Sequence, residues 1–125
     1  MDYTPTEIRL QKKSRQIVIA FEDGNRFDLS FEYLRVNSPS AAVKGHGPGQ
    51  EVLQTGKENV QVTAIEPVGH YAVRLIFDDG HDSGLYSWQY LFELATEHDS
   101  KWQAYLDHLK AAGYARQPPA RINHE

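Results

Sequence analysis

Gly80-His81-Asp82-Ser83-Gly84 sets an imidazole, a carboxylate and a hydroxyl between two glycines, with a second carboxylate, Asp79, just ahead of them. Such groups can do three things. A serine beside a histidine base attacks acyl carbon, an imidazole with carboxylates binds zinc, iron(II), nickel or manganese, and an Asp-Gly pair turns a hairpin. Spacing argues against the first. Near-adjacent residues on a turn point in different directions, whereas a catalytic triad needs a base aimed at the serine and a third group aimed at the base. The Gly-x-Ser-x-Gly elbow is absent. A two-histidine, one-carboxylate iron site usually begins as His-x-Asp or His-x-Glu, and none of the six histidines has an acid two positions on. No catalytic constellation remains, so the chain is read as not an enzyme.

A second glycine-rich stretch, "GHGPGQ", holds Gly45, His46, Gly47 and Gly49 and reads as a candidate binding loop. It is not a phosphate loop, because no Gly-Lys-Ser/Thr follows and Pro48 lacks a backbone donor. The metal reading therefore rests on His81 and His46, with Asp79 and Asp82 in support. The bland alternative is a polar turn histidine and a loop histidine. His70, His98, His108 and His124 stand near turns, on solvated helical positions or in the tail and are not candidates.

These residues must be positioned by hairpins. Ile8 and Leu10 alternate with polar neighbours, and "QIVIAF" is rich in β-branched residues, so both read as strands. Asp23-Gly24 marks a turn into "RFDLS", and Ser30 is placed to cap a helical turn over Phe31–Leu34. Val36–Gln50 reads as largely loop. "VQVTAIEPV" and "YAVRLIF" read as a second hairpin, followed by the Asp79-Gly80 turn. From Ser87 the apolar period becomes helical, and a last helix is expected over about Ser100–Ala112, with Ser100 as cap and Gly113 as stop. Trp88, Phe92, Trp102 and Tyr105 have core spacing rather than the arrangement of a ligand cage. "IAFEDGNRFDLSFEYL" and "LIFDDGHDSGLYSWQYL" echo one another, with His81 in the place of Asn25 and one extra residue in the second copy.

The totals bound the rest. A chain of 125 residues suits one domain. A net charge of −4 speaks against nucleic acid or an anionic membrane as the main partner. With no cysteine there is no disulfide, thiolate metal site or thiol catalysis. No run reaches a membrane span and no signal-peptide pattern opens the chain, so a cytoplasmic protein is expected. The composition of "ARQPPARINHE" marks residues 116–125 as a disordered tail after a domain over residues 1–115.

"FEYLRVNSPSAAVKGHGPGQ" and "FDDGHDSGLYSWQYL" together resemble the gamma-butyrobetaine hydroxylase-like N-terminal domain, over about Glu7 to Gly113. The resemblance implies a small β-rich α+β fold, antiparallel hairpins with C-terminal helices packed on the sheet. It implies association with iron- and 2-oxoglutarate-dependent oxygenases, whose catalytic domain this chain lacks, and with P-loop proteins of iron–sulfur cluster handling. It also implies a zinc site of three cysteines and one histidine. The cysteine positions fall on Ser38, Ser40 and Val43, and the histidine falls on His81, which is left either to hydrogen-bond the Ser38–Ser40 loop or to join His46 in a different site. The expected function is a non-enzymatic binding or adaptor domain with a protein partner, linked to iron or iron–sulfur metabolism. The alternative is a metal- or small-ligand domain that uses His81 and His46 to hold a divalent zinc or iron.

Overall fold

Two β-rich stretches of like pattern build two like units. The structure is a computed structural model describing residues 3–45, 47 and 49–117. β1 (Pro5–Gln11), β2 (Gln16–Phe21) and β3 (Arg26–Ser30) form one antiparallel sheet in the order β1-β2-β3. β2 is the central strand and is buried from Ile17 through Phe21, which is why its apolar run is unbroken. Gly24 turns the chain with φ +88°, and Phe21 N–H closes on the Asn25 carbonyl at 2.9 Å. Ser30 then caps α1 (Phe31–Val36), its hydroxyl accepting from Tyr33 N–H at 3.0 Å.

The second unit repeats these steps. β4 (Val62–Val68), β5 (Ala72–Phe77) and β6 (Leu85–Ser87) form the order β4-β5-β6. Gly80 turns with φ +87°, Phe77 N–H closes on the His81 carbonyl at 3.0 Å, and Ser87 caps α3 (Trp88–Thr96) by accepting from Tyr90 N–H at 3.1 Å. The sequence echo is thus a repeated β-β-β-α unit. The units exchange equivalent bonds: Tyr33 donates to the Leu94 carbonyl and Tyr90 to the Asn37 carbonyl, each at 2.6 Å. Leu94 follows Tyr90 at the same helical spacing as Asn37 follows Tyr33.

The hairpins form two three-stranded sheets rather than joining in one. Each third strand runs straight into a serine-capped helix, and among the described residues no ladder bridges the units. They meet instead through side chains. Ile17, Ile19 and Leu29 of the first sheet share one core with Val62, Val73 and Leu75 of the second, and with Phe31, Leu34, Leu91 and Leu94 of the helices. Trp88, Phe92 and Trp102 pack against that core, and Tyr105 packs with Val36 and Leu109. These aromatics are structural, as their spacing predicts.

Two local expectations need correction. The loop after α1 contains a short helix, α2 (Ala41–Lys44), capped by Ser40. The last helix, α4 (His98–Ala111), begins before Ser100, whose hydroxyl donates back to the Glu97 carbonyl at 3.1 Å. Glu97 both ends α3 and starts α4, so backbone bonds serve the junction and no side-chain cap is needed. Gly113 stops α4 as expected, with φ +78° and Tyr114 N–H reaching back to the Leu109 carbonyl at 2.9 Å. Beyond it, Arg116 forms a bidentate pair with the buried Glu32 carboxylate, and Gln117 N–H donates to Glu58 at 2.7 Å. Residues 118–125 lie outside the described residues. Among those described, no helix is long and apolar enough to cross a membrane.

Candidate functional site

The His81 turn is built by its own first residue. Asp79 Oδ1 accepts the His81 backbone N–H at 3.2 Å, as Asp23 Oδ1 accepts that of Asn25 at 2.9 Å in the first unit. The other oxygen, Oδ2, takes Lys57 Nζ at 2.6 Å and Arg35 Nε at 2.9 Å, and Arg35 reaches on to Gln54 at 3.0 Å. Burial alone would raise the Asp79 carboxyl. The Lys57 ammonium, the His81 N–H and the Arg35 guanidinium outweigh it and hold the group below the usual carboxylate value. Asp79 is therefore spent on the turn and on two cations.

The ring of His81 is directed elsewhere. His81 is 8% exposed, and its Nε2 lies 2.8 Å from the hydroxyl of Ser38, which is wholly buried. Ser38 Oγ also accepts the Ser40 N–H at 3.2 Å. Burial first, and the Arg35 cation second, push the His81 pKa below the ordinary histidine value. A second hydroxyl pair, Ser40 to Ser83 at 2.8 Å, fastens the same two segments, and Ser40 Oγ also caps α2. Gly84 is required here, because a Cβ would lie 2.5 Å from Ser38 Oγ. Behind the pin, buried Tyr86 donates to the Leu34 carbonyl at 2.6 Å.

The resemblance-derived positions thus divide. Ser38 and His81 meet directly, Ser40 meets the turn through Ser83, and Val43 is buried in α2 with no donor to offer. This set does not fit zinc. Hydroxyls are poor zinc ligands, valine is none, and the one imidazole nitrogen that faces the loop is already hydrogen-bonded. Asp82 is exposed and lies 4.0 Å from the Arg74 guanidinium. Among the described residues no group of three histidine, cysteine or acidic side chains is placed to hold a metal ion. His46, the other half of the metal reading, lies outside the described residues. In its loop, Gly45 is needed for close approach to Gln50 and Gly49 for its φ of +79°, whereas a Cβ at Gly47 would meet nothing.

The nucleophile reading also separates. Ser83, the serine of the opening motif, bonds Ser40 and not His81. Ser38 sits at nucleophile–base distance from His81, but it is buried, and Asp79 spends both oxygens away from the ring. Sequence reasoning missed Arg35, Lys57 and Gln54. No local pattern joins them to Asp79, since each comes from a different segment.

Fold and site define a small α+β domain of two β-β-β-α units, with a histidine turn pinned to the loop after the first. The profile of the family described as gamma-butyrobetaine hydroxylase-like, N-terminal, matches residues 8–92. The chain belongs to this family. Two solution NMR structures are similar. One is 50% identical, with TM-score 0.79, covering 98% of this chain and 91% of its own. The other is 47% identical, with TM-score 0.78, covering 97% and 95%. A crystal structure of a protein with unknown function from Acidithiobacillus ferrooxidans is 42% identical, with TM-score 0.64, covering 74% of this chain and 93% of its own. No curated protein matches.

Proposed function

We propose that this chain is a non-enzymatic binding domain, an adaptor that works by engaging a protein partner, in the iron or iron–sulfur setting that the family resemblance implies. The observation that supports the reading is the 2.8 Å bond between His81 Nε2 and buried Ser38. A hydrogen bond stands where the resemblance would put a metal–ligand bond, and it ties the loop without cysteine. His81 is then a scaffold residue, and function falls to the surface.

The test is metal uptake by the untagged protein. Elemental analysis comes first, then titration with zinc, iron(II) and nickel while the His81 amide is followed by NMR. The expected result is no stoichiometric metal and no saturable shift at the turn. Metal bound at one equivalent and lost in His81→Ala, or turnover of any substrate that depends on His81, overturns the proposal.

A further inference from the structure

A groove of about 690 Å³ runs between α4 on one side and α2 with residues 51–54 on the other. Its floor is buried Val36 and Val43. Its outer wall is Val52 and Leu53, which are 52% and 37% exposed. Adjacent apolar side chains left in water beside a concave surface mark a place where something binds.

Charge and shape indicate what. The chain carries −4 overall, yet the groove is lined by two lysines, Lys44 and Lys101, against a single acid, Glu51. Lys44 Nζ lies 5.0 Å from the centre of the Tyr90 ring, a cation–π contact at the groove's edge that leaves the ammonium's remaining donors free of any carboxylate partner among the described residues. Among the described residues Lys101 pairs with half-exposed Glu97 at 3.6 Å, a pairing of little strength. Along α4 the lining residues Lys101, Ala104, His108 and Ala111 fall on one face, and at 1.5 Å per residue they span about 15 Å, some three helical turns. Alanine at the two small positions lets a second helix come close. A second copy of this chain is a poor occupant. Meeting through this face, it would bring the same excess of lysine over acid and so offer no charge complement.

We propose that the groove takes an acidic amphipathic helix of a partner protein, with its apolar residues on Val36, Val43, Val52 and Leu53 and its carboxylates on Lys44 and Lys101. This rests on the adaptor reading and gives it a surface and a partner chemistry. The test is selection of a random dodecamer peptide library on the full chain, with recovered peptides measured against Lys44→Glu/Lys101→Glu and against Ala104→Arg, which fills the groove. Circular dichroism checks that both variants fold. Recovered peptides should be acidic, with apolar residues at helical spacing, and should bind each variant at least about tenfold more weakly. Basic or charge-neutral peptides, no enrichment, or equal binding to the variants overturns the groove. Metal uptake at His81 would overturn the adaptor reading and leave these affinities unchanged, so the two failures are told apart.

Discussion

Replacing Ser38 by alanine removes one oxygen and almost nothing else, so it measures the pin directly. The side chain is wholly buried and the variant keeps the Cβ, so no large cavity opens. His81 Nε2 then stays inside without its 2.8 Å partner, and the Ser40 N–H loses its 3.2 Å acceptor. An unpaired buried polar atom costs roughly 1–3 kcal/mol and the second bond adds roughly 0.5–1. The expected loss is about 2–3 kcal/mol, or about 8–12 °C in Tm for a domain of this size. Urea unfolding at pH 7.5, followed by tryptophan fluorescence and circular dichroism, reads it. A double-mutant cycle with His81→Ala should give a coupling of about 1–2 kcal/mol, because either change removes the same bond. A loss below about 0.5 kcal/mol, or strict additivity of the two changes, refutes the reasoning.

Gly84→Ala should destabilise by roughly 2 kcal/mol by driving a methyl group into Ser38 Oγ, and the penalty should shrink in the Ser38→Ala background, as paired urea titrations would show. Acid should weaken the fold in two stages. His81 is held below the ordinary value of 6.5, so as pH falls the unfolded chain takes the proton first; stability is full above 6.5 and is lost as pH falls through the folded value. Asp79, held below 3.8, loses its contribution only below that value; urea midpoints across pH should show both stages, with the first absent in His81→Ala. Arg116→Met should cost roughly 2 kcal/mol by leaving buried Glu32 unpaired, and Glu32→Gln in the same chain should return part of it in thermal melts. The triple change Ser38→Cys, Ser40→Cys and Val43→Cys should confer one equivalent of zinc, checked by elemental analysis; failure to bind means that the resemblance places the ligand positions wrongly.

Local rules made much of the fold legible. Asp-Gly turns, serine caps and alternating strands are set by residues next to one another in the chain, and they predicted β2, β3, α1, β5 and α3 together with the repeat that unites them. Ser100 misled because a cap is needed only where a helix starts from a loop, and α4 starts from α3. The site was half legible: a histidine on an Asp-Gly turn can be read, but whether its ring faces water, a metal or a hydroxyl cannot.

By itself, then, the sequence determined an α+β domain of repeated strand-turn-strand-helix pattern, without thiol chemistry and with His81 on a turn. Tertiary structure alone decided that His81 meets Ser38, that Asp79 is spent on Arg35 and Lys57, and that α4 leaves a basic-rimmed apolar groove beside Val52 and Leu53. The reason is separation along the chain. Turns and caps depend on neighbours within a few residues, whereas these contacts join segments tens of residues apart, and only the packing of the two units against each other brings them within reach.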